Sequence, residues 1–102
     1  ESATIRERVM AARVRQVERY KGTKTPSNAH LRPSQIKKHC RIDGPGRTLI
    51  EQAVARLGLS ARAYMRILKV ARTIADLEQK DSIAAEHVAE AIQYRSLDRR
   101  VL

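Results

Sequence analysis

Few residues in this 102-residue chain have a type and spacing that could do chemistry, and the clearest of them are cationic. In the stretch Ser60-Ala-Arg-Ala-Tyr-Met-Arg-Ile-Leu-Lys, the side chains of Arg62, Arg66 and Lys69 recur at three- and four-residue spacing. That spacing gathers them, with Thr73, on one side of a helix. Ser60 suits the N-cap, because its hydroxyl can accept from an otherwise unpaired amide of the first turn. Arg62 then falls inside that first turn, where the macrodipole is positive and a carboxylate would be preferred. An arginine fork beside unpaired amides suits a phosphate group. Read instead as a solvated surface residue, Arg62 costs only about 0.3 kcal/mol for its position. Position alone leaves both readings open.

Other apparent constellations lead to less. Gly22-Thr-Lys-Thr25 has the composition of a phosphate loop but neither the GxxxxGK[ST] spacing nor a preceding strand. No Walker A motif and no acidic Walker B strand can be found in the sequence, so the polypeptide by itself is not expected to hydrolyse ATP. His30, His39 and Cys40 are metal-ligating types at a spacing that fits no structural zinc pattern. Cys40, four residues after Ile36, reads as a small core residue. As the only cysteine it excludes an internal disulfide and fits a reducing, cytoplasmic compartment.

The elements that must position these residues are helices. The strongest is Ser60–Leu77, with Tyr64, Ile67, Leu68, Ala71, Ile74 and Ala75 along one side and a Leu59–Tyr64 staple at its start. Residues 4 to 21 read as a first long helix capped by Thr4, with Glu7 completing a capping box and Gly22 as its stop. Ile5, Val9, Met10, Val17 and Tyr20 make its apolar face, and Arg6 and Arg13 intrude into that arc. Arg8, Arg15 and Arg19 line a separate edge. The intruding arginines either snorkel or face a neighbouring domain.

Lys21 to Asn28 reads as a polar, mobile connector, followed by a helical turn at Asn28–Leu31. Pro33 opens a short helix to about Cys40, flanked by the exposed cluster Lys37, Lys38 and Arg41. Gly44-Pro45-Gly46 opens another, with Leu49, Ile50, Ala53, Val54 and Leu57 on one face and Gly58 as its end. A tight corner at Leu59 joins it to the long helix. The final helix should run from about Ala85 to Tyr94, with Val88, Ala91 and Ile92 inward and an Ile83–Val88 staple. Residues 95–102 are expected to fray, exposing Arg95, Arg99 and Arg100.

The fold class that follows is all-α, a single small bundle of about five helices over residues 1–102. With no Trp, no Phe and three Tyr, its core must be aliphatic. Charge is uneven along the chain. Residues 1–50 hold 12 basic and 4 acidic side chains, a net of +8, against 9 and 7, a net of +2, in residues 51–102. A basic half of this kind suits an anionic partner: nucleic acid, nucleotide or an acidic surface. No apolar run is long enough to span a membrane and none has a signal-peptide pattern.

The run LSARAYMRILKVARTIADLEQKDSIAAEHVAEAIQYRSLDR (Leu59–Arg99), the opening ESATIRERVMAARVRQ and Asn28-Ala-His-Leu31 together resemble the C-terminal region of magnesium-chelatase-like AAA+ ATPases of the ComM type. The resemblance covers nearly the whole chain. It implies the helical lid that follows a nucleotide-binding core, here as the C-terminal piece of a longer ATPase. Ser60-x-Arg62 resembles the sensor 2 motif, which implies that Arg62 lies near nucleotide phosphates. It further implies ATP and Mg2+ as cofactors of the parent protein, with none expected on this piece alone. The implied partners are the ATPase core of the same chain, neighbouring subunits of a ring, and DNA, acted on by branch migration in natural transformation. Two alternatives stand beside it: a free-standing basic helical module that binds nucleic acid, and the lid of a true magnesium chelatase subunit.

Overall fold

The computed structural model describes the backbone of residues 2–101 and the side chains of residues 2–94. Five helices follow one another: α1 (Ser2–Arg19), α2 (Pro33–His39), α3 (Gly44–Leu57), α4 (Ala61–Leu77) and α5 (Ala85–Val101). A 3-10 turn at Asn28–His30 precedes α2. Among the described residues there is no strand. A single parallel bridge, Ile42 to Ile83, ties the approach to α3 to the approach to α5.

Helix α4 is the central element. It packs on α5, on α1 and on α2 with its preceding turn, while α3 lies against α5. Its predicted inward stripe is the core: Ile67, Leu68, Ala71, Ile74 and Ala75 are all buried, with Tyr64 half-buried at the edge. Ile50 of α3 and Val88 and Ala91 of α5 join that core, as their periodicity requires, together with Tyr20, Leu31, Ile36, Cys40 and Ile83. The Ser60 hydroxyl accepts from the Ala63 amide at 3.1 Å, so α4 begins where the sequence places its start.

The stop and start signals divide into those that act as written and those that do not. Gly58 closes α3 with φ 64°, a left-handed value that its missing Cβ tolerates. The true cap of α3 is Asp43, whose carboxylate accepts from the Gly46 amide at 2.7 Å. Space at Gly46 is tight, since a Cβ there would lie 3.0 Å from Asp43 Oδ1 and the capping carboxylate would have to give by a few tenths of an ångström. By contrast Thr4 and Glu7 do not cap α1, which already begins at Ser2. A cap contributes only about 1 kcal/mol, so it cannot stop a helix that its neighbours can extend. The backbone of α5 is helical to Val101, past the expected end at Tyr94. The expectation that Arg95, Arg99 and Arg100 are exposed concerns side chains outside the described residues.

Helix α1 departs most from its pattern. Of its apolar positions only Ala12 is buried, with Tyr20 just past its end, while Ile5, Met10, Val14 and Val17 are about 60% exposed. Its arginine edge is the side that docks. Arg15 donates to Asp81 and to the Gln79 carbonyl, both at 2.8 Å, and Arg19 meets Asp76 of α4 with both guanidinium nitrogens. Of the expected apolar face only Tyr20 is buried, and of the expected arginine edge Arg15 and Arg19 dock while Arg8 stays exposed.

Candidate functional site

The cationic row foreseen on α4 exists and forms one wall of a groove. Arg62 and Arg66 are exposed, and Lys69 is half-buried one turn further on. The groove, about 740 Å³, runs along α4 between α2 with its preceding turn and the face of α5 that carries Glu90 and Tyr94. Its floor is apolar, from Leu31, Met65, Val70 and Ile74. Lys69 Nζ is tethered to the Ala29 carbonyl at 3.3 Å. Arg62 and Arg66 make no hydrogen bond or ion pair with any described residue.

Local structure makes that end receptive to anions. A helix leaves its first four amides without intrahelical partners. Ser60 satisfies the one on Ala63, which leaves those of Ser60, Ala61 and Arg62 without an intrahelical partner at the positive end of the dipole. Donors of this kind suit phosphate or carboxylate oxygens, and by the same chemistry repel a metal cation.

Thr73, expected to share the exposed side, instead closes the far end of the row. Its hydroxyl accepts from Asn28 Nδ2 at 3.0 Å and donates to the Lys69 carbonyl at 3.1 Å. Asn28 is the reason, and it also overturns the mobile connector. The Asn28 side chain, 1% exposed, donates to Thr73 and Asp76 and accepts from Arg19 and the Tyr20 hydroxyl, while its amide donates to Gln16. Thr25 is likewise buried and held by Gln35. A segment that supplies the core with hydrogen-bonding partners is fixed even though its composition is that of a loop.

The polar centre that sequence reasoning missed lies beneath this row. Asp76, fully buried, accepts from Arg19 at 2.6 and 2.9 Å, from Asn28 at 2.9 Å, and lies 3.2 Å from Arg72. The bond to Asp76 raises the Arg19 pKa above its ordinary value, whereas burial lowers that of Arg72. Arg72 also donates to the Lys80 and Asp81 carbonyls, closing the turn after α4. One signal was available: Arg72 and Asp76 are four apart on the strongest helix, next to its apolar stripe. This network positions α1 and the α4–α5 turn, and it offers a ligand no open face.

The ligand-type residues are dispersed. His30 bonds Ser27, the His39 ring stands edge-on to Tyr20 at 5.1 Å, and Cys40 is buried. Glu78, Glu86 and His87 do converge. However, His87 Nδ1 accepts from the Ala84 amide at 2.9 Å, which fixes the proton on Nε2, and Nε2 lies 3.0 Å from Glu78. Both ring nitrogens are therefore committed to holding the start of α5. No helix among the described residues is long and apolar enough to cross a membrane.

Comparison with known proteins adds to this geometry. Residues 1–95 match the family described as magnesium chelatase, subunit ChlI C-terminal. The chain is 44% identical over 101 residues to the uncharacterized protein YifB of Escherichia coli strain K12, covering 99% of this chain and 19% of that protein. It is 43% identical over 98 residues to the competence protein ComM of Haemophilus influenzae, covering 96% of this chain and 18% of that protein. It thus spans about a fifth of the length of these relatives.

Proposed function

The chain belongs to the family of magnesium chelatase subunit ChlI C-terminal domains, and from that premise we propose that it is the helical lid of a ComM-type AAA+ ATPase in which Arg62 reads the phosphates of bound nucleotide. The observation that carries this reading is the state of Arg62. It is exposed, has no partner among the described residues, and sits beside the amides of the α4 start that lack an intrahelical partner. A structural arginine has a carboxylate or carbonyl to hold, as Arg15, Arg19 and Arg72 do here. Arg62 has none among the described residues, although its place in the first turn is the less favourable one for a cation.

The donor set fits the anionic part of the cofactor. Guanidinium and amide N–H groups suit phosphate oxygens, so magnesium would be held by those phosphates and by the rest of the ATPase rather than by this groove. ATP with Mg2+ supplies the phosphoanhydride bond to be broken. Arg62 binds and orients the phosphates, and its fixed charge stabilises the negative charge that develops on them. Arg66, one turn further along, adds long-range attraction. The rigid α4–α5 core holds both arginines in register, so that lid and core can close as bodies.

For the parent protein this reading means a ring of subunits in the cytoplasm, with the ATPase core of the same polypeptide as the lid's first partner. We further propose that the parent acts on DNA in natural transformation, as a branch-migration motor; the name of one relative, competence protein ComM, supports the link to competence. The test is Arg62→Ala in the full-length protein. Turnover of ATP is expected to fall by roughly 30- to 1,000-fold, the ~2–4 kcal/mol of a lost charge-stabilising donor. Arg66→Ala should have a much smaller effect. Equal turnover of wild type and Arg62→Ala at matched oligomeric state rejects the assignment.

A further inference from the structure

The outward face of α1 is the largest feature that the lid reading leaves unused. All of Ser2–Met10 is exposed, and the apolar Met10, Val14 and Val17 point away from the bundle at 59, 60 and 65% exposure. Side chains at such exposure, in a helix held to the bundle chiefly through Arg15, Arg19 and Gln16, gain by being covered. The order of charges says by what. Two rows of residues spaced by four run along this face: Ile5, Val9, Arg13, Val17 and Arg6, Met10, Val14, Glu18. A groove of about 530 Å³ lies between them, lined by α1 alone.

The second row is complementary to itself when reversed. Its sequence is cation, apolar, apolar, anion, so an antiparallel copy sets Arg6 against Glu18, Met10 against Val14, and the same two pairs again across the axis. The centre lies at the level of Ala12 but on the opposite side of the helix, since Ala12 is turned inward and is 3% exposed. Arg6 and Glu18 lie about 9 Å to either side of that centre along the helix, within reach of two long side chains. Neither has an ion-pair partner within the chain among the described residues.

We propose that this face is an isologous contact between two copies of the chain, α1 packed antiparallel on α1 about a two-fold axis that crosses the outward face at the level of Ala12. Other occupants fit less well. An acidic amphipathic helix would satisfy Arg6 and Arg13 but set an acid against Glu18. Nucleic acid would meet the same carboxylate and a row of exposed apolar groups. Arg13 of the two copies approaches near the axis but sits at the rim, where solvent screens it. One helix pair covers less area than the ~1,200–2,000 Å² of a standard stable interface, so the dimer is weak and concentration-dependent.

Sedimentation equilibrium of the 102-residue chain, up to about 1 mM, tests this directly. Wild type should associate reversibly. Arg6→Glu and Glu18→Arg should each remain monomeric, because each creates two like-charged pairs. Mixed in equal amounts, those two variants should form a heterodimer, since both outer pairs are again opposite in sign. The double variant should recover the wild-type association. Circular dichroism checks that each is folded, as both positions are exposed. A monomeric wild type, association that survives either single reversal, or single variants that fail to pair when mixed would each overturn the proposal.

Discussion

At Asp76 a carboxylate with no solvent exposure is neutralised by two arginines that come from different parts of the chain. Isolated, such a charge would be very costly to bury, and only the full set of partners makes the site tolerable. Asp76→Ala is therefore expected to cost about 3–5 kcal/mol in urea unfolding, because Arg19 and Arg72 are left buried without their counter-ion. Asn28 and the Tyr20 hydroxyl belong to the same network and would loosen with it. Cys40 illustrates the opposite case, a titratable group with no partner to stabilise its charge. Burial pushes its thiol up to about 11, and the residue is 3% exposed. A thiol held protonated and covered is a poor nucleophile. Iodoacetamide at pH 8 should label Cys40 slowly in the native chain and rapidly in denaturant; equally fast labelling in both would contradict its burial.

At the scale of elements, α4 and α5 form an apolar pair and α1 a polar attachment. Leu68, 5% exposed, is central to the first. Leu68→Ala should destabilise the chain by roughly 2–5 kcal/mol as a cavity in a small aliphatic core. A change of less than about 0.5 kcal/mol would mean that the α4 faces are assigned wrongly. Helix α1 uses hydrogen bonds and ion pairs for its docking and presents its aliphatic side to solvent. That division is unusual for an amphipathic helix, and it frees a face of the bundle for association. The turn after α4 belongs to both systems. It is closed by Arg72 from within and bound by Arg15 of α1 from outside.

The molecule as a whole carries a formal charge of +10 on a body of 36 by 34 by 27 Å. Charges of this density attract polyanions at long range irrespective of sequence. Among the exposed cations, Arg62 and Arg66 flank the groove, and Lys37, Lys38 and Arg41 cluster at the end of α2. If the domain itself touches DNA in the parent protein, the chain should bind duplex weakly, without sequence preference, and with affinity falling steeply as salt rises. Fluorescence anisotropy at low salt measures this. An absence of binding there would rule out direct DNA contact by this domain.

Local signals were enough for the all-α class, the α4 stripe, the Ser60 cap, the Gly58 stop and the cationic row with Arg62 at its head. Each of these depends on residues within a turn or two of one another, so short-range spacing determines them. Tertiary structure alone decided which face of α1 docks, because that depends on Asp76 and Asp81, some sixty residues away in the chain. It also decided that Asn28 and Thr25 are buried, since a polar loop is fixed only when distant groups need its hydrogen bonds. The sequence shows a helix with an apolar face and an arginine face. Which face turns inward depends on whether a buried acid awaits the arginines, and that acid has a place only once α4 is packed.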